Sequence, residues 1–374
     1  MQIANGDPRG DLTVTQVSAL LEADTIQVAA GLELFDADET FLQDISDDLE
    51  SGEVSRGNYR TIHGTCRLRI ARELQWGSQR VKPYLSLSDG TVTARFNLGV
   101  FLLATPERHA GETPAVWDVD GFDKLEVLAH PHGATYAADA GDAYLTLVAG
   151  LITGAGESKI LIDQTAAATT LPTARTWPLL EETSTLGIVN DLLAAVGYRA
   201  LWVGPDGYYR SEPYVSPARR GSEWTYSADS ASTTVAVDRM SSADFFGVPN
   251  RWVFVNNDPA VTEFPTEGDG IYTVLNQSDG VTSIDQRGRT ITSVVTLAAA
   301  NQAALVTQGD RTVEGDKTIV RRLTIPGSVN PLHSHFDVVT VIDAELGLSG
   351  SKYVVTDWRL PLSGQDMVLE LKAV

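Results

Sequence analysis

The chain has 374 residues, 43% of them hydrophobic, and a formal net charge of −21 from 49 carboxylates against 28 Lys and Arg. That length predicts about two to four domains with cores of their own, and the charge excludes a nucleic-acid binder built on clustered Lys and Arg. The single cysteine, Cys66, excludes an intramolecular disulfide and a cysteine-based metal cluster.

The N-terminal sequence lacks the basic and apolar regions of a signal peptide, and no run approaches the roughly 18 apolar residues of a membrane span. Synthesis in a cytoplasm and no membrane insertion are the expectation. Residues 1–60 carry thirteen carboxylates and three arginines, with eight of the acids from Asp36 to Glu53. Such a surface suits a wet lumen or a basic partner. Alternation of Ile26, Val28, Ala30, Leu32 and Leu34 predicts a strand over 25–34. Asp36-Ala37-Asp38-Glu39 predicts a turn, and Phe41 and Leu42 restart the chain. Further strands are predicted over 60–71, 82–88, 91–103 and 117–119, interrupted at Ser88-Asp89-Gly90 and over 106–114. In 60–71, Cys66, Leu68 and Ile70 share one face, which reads Cys66 as a small buried residue. Short strands with polar turns predict a barrel or sandwich over residues 1–125.

Residues 126–215 read as a small α+β domain. Asp142 is a candidate helix cap, followed by Leu145, Val148, Ala149 and Ile152 at helical spacing, with Gly154 and Gly156 as the stop. A Thr-, Ala- and Pro-rich connection spans 166–178. The segment 184–214 then packs four signals together. Ser184 is a cap, and Leu186, Val189, Leu192, Leu193 and Val196 form a stripe. Gly197 is a left-handed stop, and Gly204-Pro205-Asp206-Gly207 turns Leu201, Trp202 and Val203 back through Tyr208 and Tyr209. Over residues 216–374 strands return. The run 250–256 has Trp252 and Phe254 on one face and Val253 and Val255 on the other, which predicts burial on both sides. A polar insertion occupies 257–288, a helix 297–308, and strands 316–325, 336–343, 352–360 and 367–372. The predicted class is α+β, mainly β: two β-barrel or sandwich domains combined with the small α+β domain.

Signals for chemistry are weak. His130-Pro131-His132 and His333-Ser334-His335 place imidazoles two apart, as a zinc-binding strand would. Proline within the first and beside the second favours exposed loop histidines. Asp36, Asp38 and Thr40 have calcium-loop spacing, but Phe41 stands where the required glycine would be and Asp47 where a glutamate would be; a hairpin turn followed by a solvated acidic segment fits better. Gly154-Ala155-Gly156-Glu157-Ser158-Lys159 follows a helix and lacks the ending of a phosphate loop. No nucleophile elbow or Cys-His pairing stands out. No catalytic, cofactor-binding or metal-ligating residue is assigned, no cofactor is expected, and the chain is read as a non-enzyme.

The order of five segments resembles the tail hub family of phages, the late-control gene D type proteins and the minor tail proteins of actinobacterial siphophages. The segments are Arg60-Thr61-Ile62-His63-Gly64-Thr65-Cys66-Arg67-Leu68-Arg69-Ile70, Asn97-Leu98-Gly99-Val100-Phe101-Leu102, Gly121-Phe122-Asp123-Lys124-Leu125, the unit 184–214, and the strand 249–255. Each is a packing pattern, and the resemblance lies in their order over most of the chain. It implies a homotrimeric ring at the virion tail tip, a baseplate hub with two tail-tube-like β domains per chain that continue the tail tube in pseudo-sixfold symmetry. It implies as neighbours the tail tube or distal tail protein, the tape measure protein, and tail-tip or receptor-binding proteins. It also implies DNA passing through the bore without specific binding, and an acidic bore would let DNA slide without sticking. The insertion 257–288 departs from the pattern, and the end at Val374 without a lysin-like domain implies a pure hub. The alternative is a receptor- or carbohydrate-binding tail protein, with Trp202, Tyr208, Tyr209 and Trp224 as sugar-stacking platforms.

Overall fold

The computed structural model describes residues 12–23, 25–111, 114–228, 235–236, 238–244, 247–256, 268, 270–297, 302–317, 320–327, 329–364 and 366–374. The chain divides into two compact units, Met1–Arg239 with Thr324–Lys372 and Val374, and Met240–Leu323 with Ala373.

In the larger unit, helix α1 (Val14–Leu21) starts at a capping box in which Thr13 and Gln16 each accept from the other's backbone N–H. Eight strands follow: β1 (Gln27–Phe35), β2 (Phe41–Asp44), β3 (Leu49–Gly57), β4 (Gly64–Ile70), β5 (Arg80–Ser88), β6 (Thr93–Asn97), β7 (Phe101–Arg108) and β8 (Trp117–Asp123). Cys66, Leu68 and Ile70 are buried on one face of β4, as the alternation predicts. The strand expected over 91–103 is two strands. Gly99 breaks it at φ +143°, where a Cβ would lie 2.8 Å from the Phe101 ring. β3 was not anticipated; it begins just beyond the run Asp36 to Asp47 that reads as a hairpin turn and a solvated acidic segment. Its apolar content is low, but it pairs on both sides and buries Val54, Arg56 and Gly57. Gly31 on β1 lets Tyr84 lie flat against the sheet, since a Cβ there would meet the ring at 2.0 Å, and the Arg95 guanidinium covers that ring at 3.7 Å.

The next segment builds its own core from α2 (Leu125–Ala129), β9 (Tyr136–Ala138), α3 (Tyr144–Gly154), β10 (Ile160–Ile162), β11 (Arg175–Trp177), α4 (Thr185–Ala195), β12 (Trp202–Val203) and β13 (Tyr209–Ser211). The Ser184 hydroxyl accepts from Gly187 N–H at 3.0 Å, Leu186, Val189, Leu192 and Leu193 are buried, and Gly197 stands at φ +73°. Replacing Ser184 with alanine is expected to cost about 1 kcal/mol, read as a shift in the urea midpoint with unchanged slope. Asp142 does not cap α3. Ala143 is the cap residue, and the Asp142 carboxylate instead accepts from Asp139 N–H at 2.9 Å, closing the preceding turn. The connection 166–178 is also more ordered than its composition implies. Leu171 and Trp177 are buried, and β11 pairs with β9. β12 and β13 form the predicted hairpin, with Gly207 at φ +84°. The larger unit then adds β14 (Trp224–Ser227).

The smaller unit contains β15 (Met240–Asp244), β16 (Arg251–Asn256), β17 (Ile271–Leu275), α5 (Ile284–Arg287), β18 (Thr292–Leu297) and α6 (Gln302–Lys317). β16 is central, between β17 and β18. Trp252 and Phe254 are fully buried, but Val253 and Val255 are only half-buried, so burial on both faces is not observed. α6 supplies the cover on one face. Leu305 and Val313 lie two turns apart, and Gly309 between them lets the helix approach so closely that a Cβ would lie 2.8 Å from Phe254 and from Tyr272. The helix expected over 297–308 therefore runs later, displacing the start of the strand expected over 316–325; residues 298–301 lie outside the described residues. Of the insertion 257–288, residues 257–267 and 269 lie outside them as well, and the remainder includes β17 and α5.

The last strands are β19 (Val320–Gly327), β20 (Val338–Asp343), β21 (Leu348–Pro361) and β22 (Met367–Ala373). In the larger unit one sheet runs β22-β21-β3-β4-β8-β7-β5-β1-β2, with β6 on β5, β20 on β21, and β14 parallel to β20. The expected mainly-β architecture is observed, but among the described residues no closed barrel forms. β21 pairs antiparallel with β3, Trp358 opposite Arg56, and so joins N- and C-terminal strands into one sheet. Periodicity along the chain fixes which face a strand buries and carries no information on that pairing.

Candidate functional site

Two buried polar clusters in the larger unit draw on the residues that the sequence singled out. The first begins in the turn between β1 and β2. Asp36 spends one carboxylate oxygen on the N–H groups of Asp38 at 3.0 Å and Thr40 at 2.8 Å. Glu39, left-handed at φ +58°, points a nearly buried carboxylate inward. Lys124 and Arg80 both donate to its Oε1, Arg80 at 3.1 Å, and Lys159 donates to Oε2 at 2.6 Å. Glu157 takes Arg80 at 2.7 Å on one oxygen and Lys124 at 2.6 Å on the other. Lys124, fully buried, also donates to Gly207 O at 3.0 Å and lies 4.9 Å from the Tyr209 ring centre. Burial pushes the Glu39 carboxyl up, but Lys124 and Lys159 outweigh it and hold Glu39 below the ordinary carboxylate range.

These contacts join the β1–β2 turn, β5, the end of β8, the α3–β10 loop and the β12–β13 hairpin, and so fasten the helical segment to the sheet. The glycine-containing loop 154–159 contributes Glu157 and Lys159, and its lysine is bonded to a carboxylate. At Gly207 a Cβ would lie 2.9 Å from Glu39 Oε2 and 3.0 Å from Val100 Cγ2. Gly207→Ala is therefore expected to cost about 1–3 kcal/mol from the left-handed backbone and more from crowding, measured by chemical denaturation.

The second cluster surrounds Arg56 on β3. Its Nη2 donates to Leu98 O at 2.8 Å and its Nη1 lies 3.2 Å from His335 Nδ1. The guanidinium is 5.6 Å from the Trp358 ring centre, and the His63 and His335 rings are 5.1 Å apart. Trp202 and Phe336 close the cluster, with ring centres 6.2 and 6.3 Å from His335 and Trp202 respectively. Burial, then the charge of Arg56, lowers His63 to about 4 and holds His335 well below its ordinary value. Burial also lowers Arg56 to about 10 and raises Asp123 to about 6.

The histidine pairs thus behave differently from each other. His130 is exposed and His132 half-buried against Thr185, whereas His333 and His335 are buried, contrary to the expectation of loop exposure. His333 bonds Tyr226 through Nε2 at 2.6 Å and faces Asp337 through Nδ1 at 3.3 Å. Among the described residues no cluster of three or more metal-ligating side chains forms, and no helix is long and apolar enough to cross a membrane. Burial and the charge of Asp120 push the Cys66 thiol up, so it is a poor nucleophile. In the acidic run Asp36 to Asp47, Asp38, Asp44 and Asp47 are exposed, as a solvated segment would be, whereas Glu39 is nearly buried in the first cluster; beyond the run, Asp48, Glu50 and Glu53 pair with Arg72, Arg69 and Arg359. Trp202 and Tyr209 are core residues and cannot serve as sugar platforms; Tyr208 is partly exposed and Trp224 half-buried. Arg56 escaped notice in the sequence, and Lys124 was named only as part of a packing segment. The available signal was a charged residue beside buried neighbours, Val54 near Arg56 and Leu125 after Lys124.

No protein-family model matches the chain, and no curated protein matches it. Solved structures do. The tail protein from Neisseria meningitidis MC58 superposes with a TM-score of 0.62 at 12% identity, over 92% of this chain and 96% of that one. The 43 kDa tail protein of prophage MuSo2 from Shewanella oneidensis gives 0.62 at 11% identity, over 92% and 98%. The prophage tail protein gp18 from Listeria monocytogenes EGD-e gives 0.53 at 10% identity, over 91% and 94%. The chain has the fold of these tail proteins.

Proposed function

We propose that the chain is a structural component of a phage tail, a hub that continues the tail tube at the tip as a homotrimeric ring. The observation that carries this reading is similarity to tail proteins over nearly the whole length of both partners. Fold alone does not fix function, but the arrangement of polar residues agrees with a load-bearing role. The charged groups of Glu39, Arg80, Lys124 and Glu157 are spent on one another and on backbone, with little exposure to any substrate. In this reading the tube protein, the tape measure protein and the tail-tip proteins are the neighbours, DNA passes without specific binding, and no cofactor takes part. The three domains of the reading are residues 1–125, 126–215 and 216–374. The test is an epitope tag on the chain, located by immunogold in assembled particles. Label confined to the distal end of the tail supports the proposal, and label on the head, along the tail or absent from particles contradicts it.

A further inference from the structure

We propose that the outer face of the β10-β13-β12 sheet is a docking site for a lysine- or arginine-bearing segment of a partner protein. Leu161 pairs with Arg210 and Arg210 with Trp202, so these three side chains form one row across the strands on the same face. Alternation along β13 adds Tyr208 and Glu212 to that face, while Tyr209 and Ser211 turn inward and are buried. The pairing continues one residue past β10, where the Asp163 N–H donates to Ser211 O at 3.0 Å. Asp163 therefore stands beside Glu212, one strand spacing of about 4.8 Å away along the backbone. These residues line an open cavity of about 650 Å³, within the range of about 300–1,000 Å³ for ligand pockets.

The lining has an apolar part and a charged rim. Leu161 is 45% exposed and Tyr208 36%, so both present apolar surface to water. Asp163, Asp206 and Glu212 line the cavity with one guanidinium, Arg210, which leaves an excess of two negative charges. Arg210 is spent on Asp206 at 2.6 Å. Asp163 accepts from the Thr165 N–H at 2.8 Å and the Tyr198 hydroxyl at 3.2 Å, and among the described residues no cation pairs with it. Glu212 is exposed, with Arg199 Nε 3.6 Å away on the far side of the strand end. Like charges on neighbouring strands repel, and a cation seated between Asp163 and Glu212 relieves that repulsion. A lysine or arginine side chain answers both features, its aliphatic stem against Leu161 and Tyr208 and its head at the carboxylates. An anion is repelled here, and a neutral sugar gains nothing from the excess charge and finds Trp202 buried.

The test uses the full chain and the peptide acetyl-Gly-Lys-Gly-Lys-Gly-amide, titrated by ligand-observed NMR at about 0.15 M salt, where charges more than about 8 Å apart are screened. The same peptide acetylated on both lysines, and an oligomer of N-acetylglucosamine, are titrated beside it. The expected results are saturable binding of the lysine peptide, contact at its lysine methylene protons, and no binding of the acetylated form. Asp163→Asn combined with Glu212→Gln is expected to weaken binding about tenfold, and Tyr208→Ala several-fold through the lost stem contact. Asparagine keeps the oxygen that Thr165 and Tyr198 use; if the double variant nevertheless fails to fold, Glu212→Gln alone decides, with about a threefold loss. Asp38→Asn combined with Asp47→Asn removes equal charge from exposed positions outside the cavity and is expected to change binding less than about twofold. Four outcomes overturn the proposal: no saturable binding of the lysine peptide; equal binding of the acetylated form, meaning apolar contact only; an equal loss in the Asp38 and Asp47 variant, meaning the general field of an acidic chain; or binding of the oligosaccharide in place of the peptide, meaning a carbohydrate site. The surface lies within one chain, so none of these outcomes bears on the ring, which is tested in particles.

Discussion

Replacing Lys124 with methionine is expected to destabilise the chain by about 3–5 kcal/mol, the range for removing one partner of a buried ion pair. The ammonium is fully buried and contacts Glu39, Glu157 and Gly207 O. Methionine matches the length of the stem but leaves Glu39 and Glu157 to be neutralised by Arg80 and Lys159 alone, and it leaves Gly207 O without its donor. The cost comes from stranding desolvated carboxylates more than from losing the attraction itself. Adding Glu157→Gln to Lys124→Met is therefore expected to recover part of the loss, because one stranded charge disappears. Urea denaturation followed by tryptophan fluorescence reads both variants. A loss below about 1 kcal/mol for Lys124→Met would place the ammonium in a far wetter setting than its contacts imply.

Acid is expected to act through the second cluster. His63 titrates near 6.5 when unfolded and about 4 when folded, because burial and then Arg56 disfavour its charged form. The unfolded chain thus takes up a proton that the folded chain refuses. His63's contribution is complete above pH 6.5 and is lost progressively as the pH falls to about 4, about 3 kcal/mol in all. His335 shifts in the same direction. Asp123 opposes them, since its folded value of about 6 lies above 3.8 and makes it favour the fold as the pH falls through that window. Comparing the natural chain with His63→Asn separates these terms. The stability of the natural chain relative to the variant is expected to fall by about 3 kcal/mol between pH 7 and pH 4; a pH-independent difference would contradict it.

Local signals were legible where the stabilising partner is near in sequence. Ser184 caps its helix by accepting from an N–H three residues on, Gly197 follows its end, and the alternation of Cys66, Leu68 and Ile70 marks the buried face of β4. What escaped depends on distant partners. β3 looks like an acidic surface run, and becomes a central strand only because β4 and β21 take both its edges. Glu39 looks like a turn residue until Lys124 and Lys159 reach it across 85 and 120 positions. His335 sits in a loop-like run beside proline, and Arg56, 279 residues earlier, draws it into the interior. The segment Gly121-Phe122-Asp123-Lys124-Leu125 was read as packing alone, and it holds residues of both clusters.

The first cluster fastens the helical segment to the sheet through the contacts of Glu39, Arg80, Lys124 and Glu157. The most direct test of the tail-hub account is a cryo-electron microscopy reconstruction of an assembled particle carrying this chain. The account predicts three copies in one ring, coaxial with the tail tube and at its distal end. A chain placed at the periphery, or present in a number other than three around the axis, would contradict it.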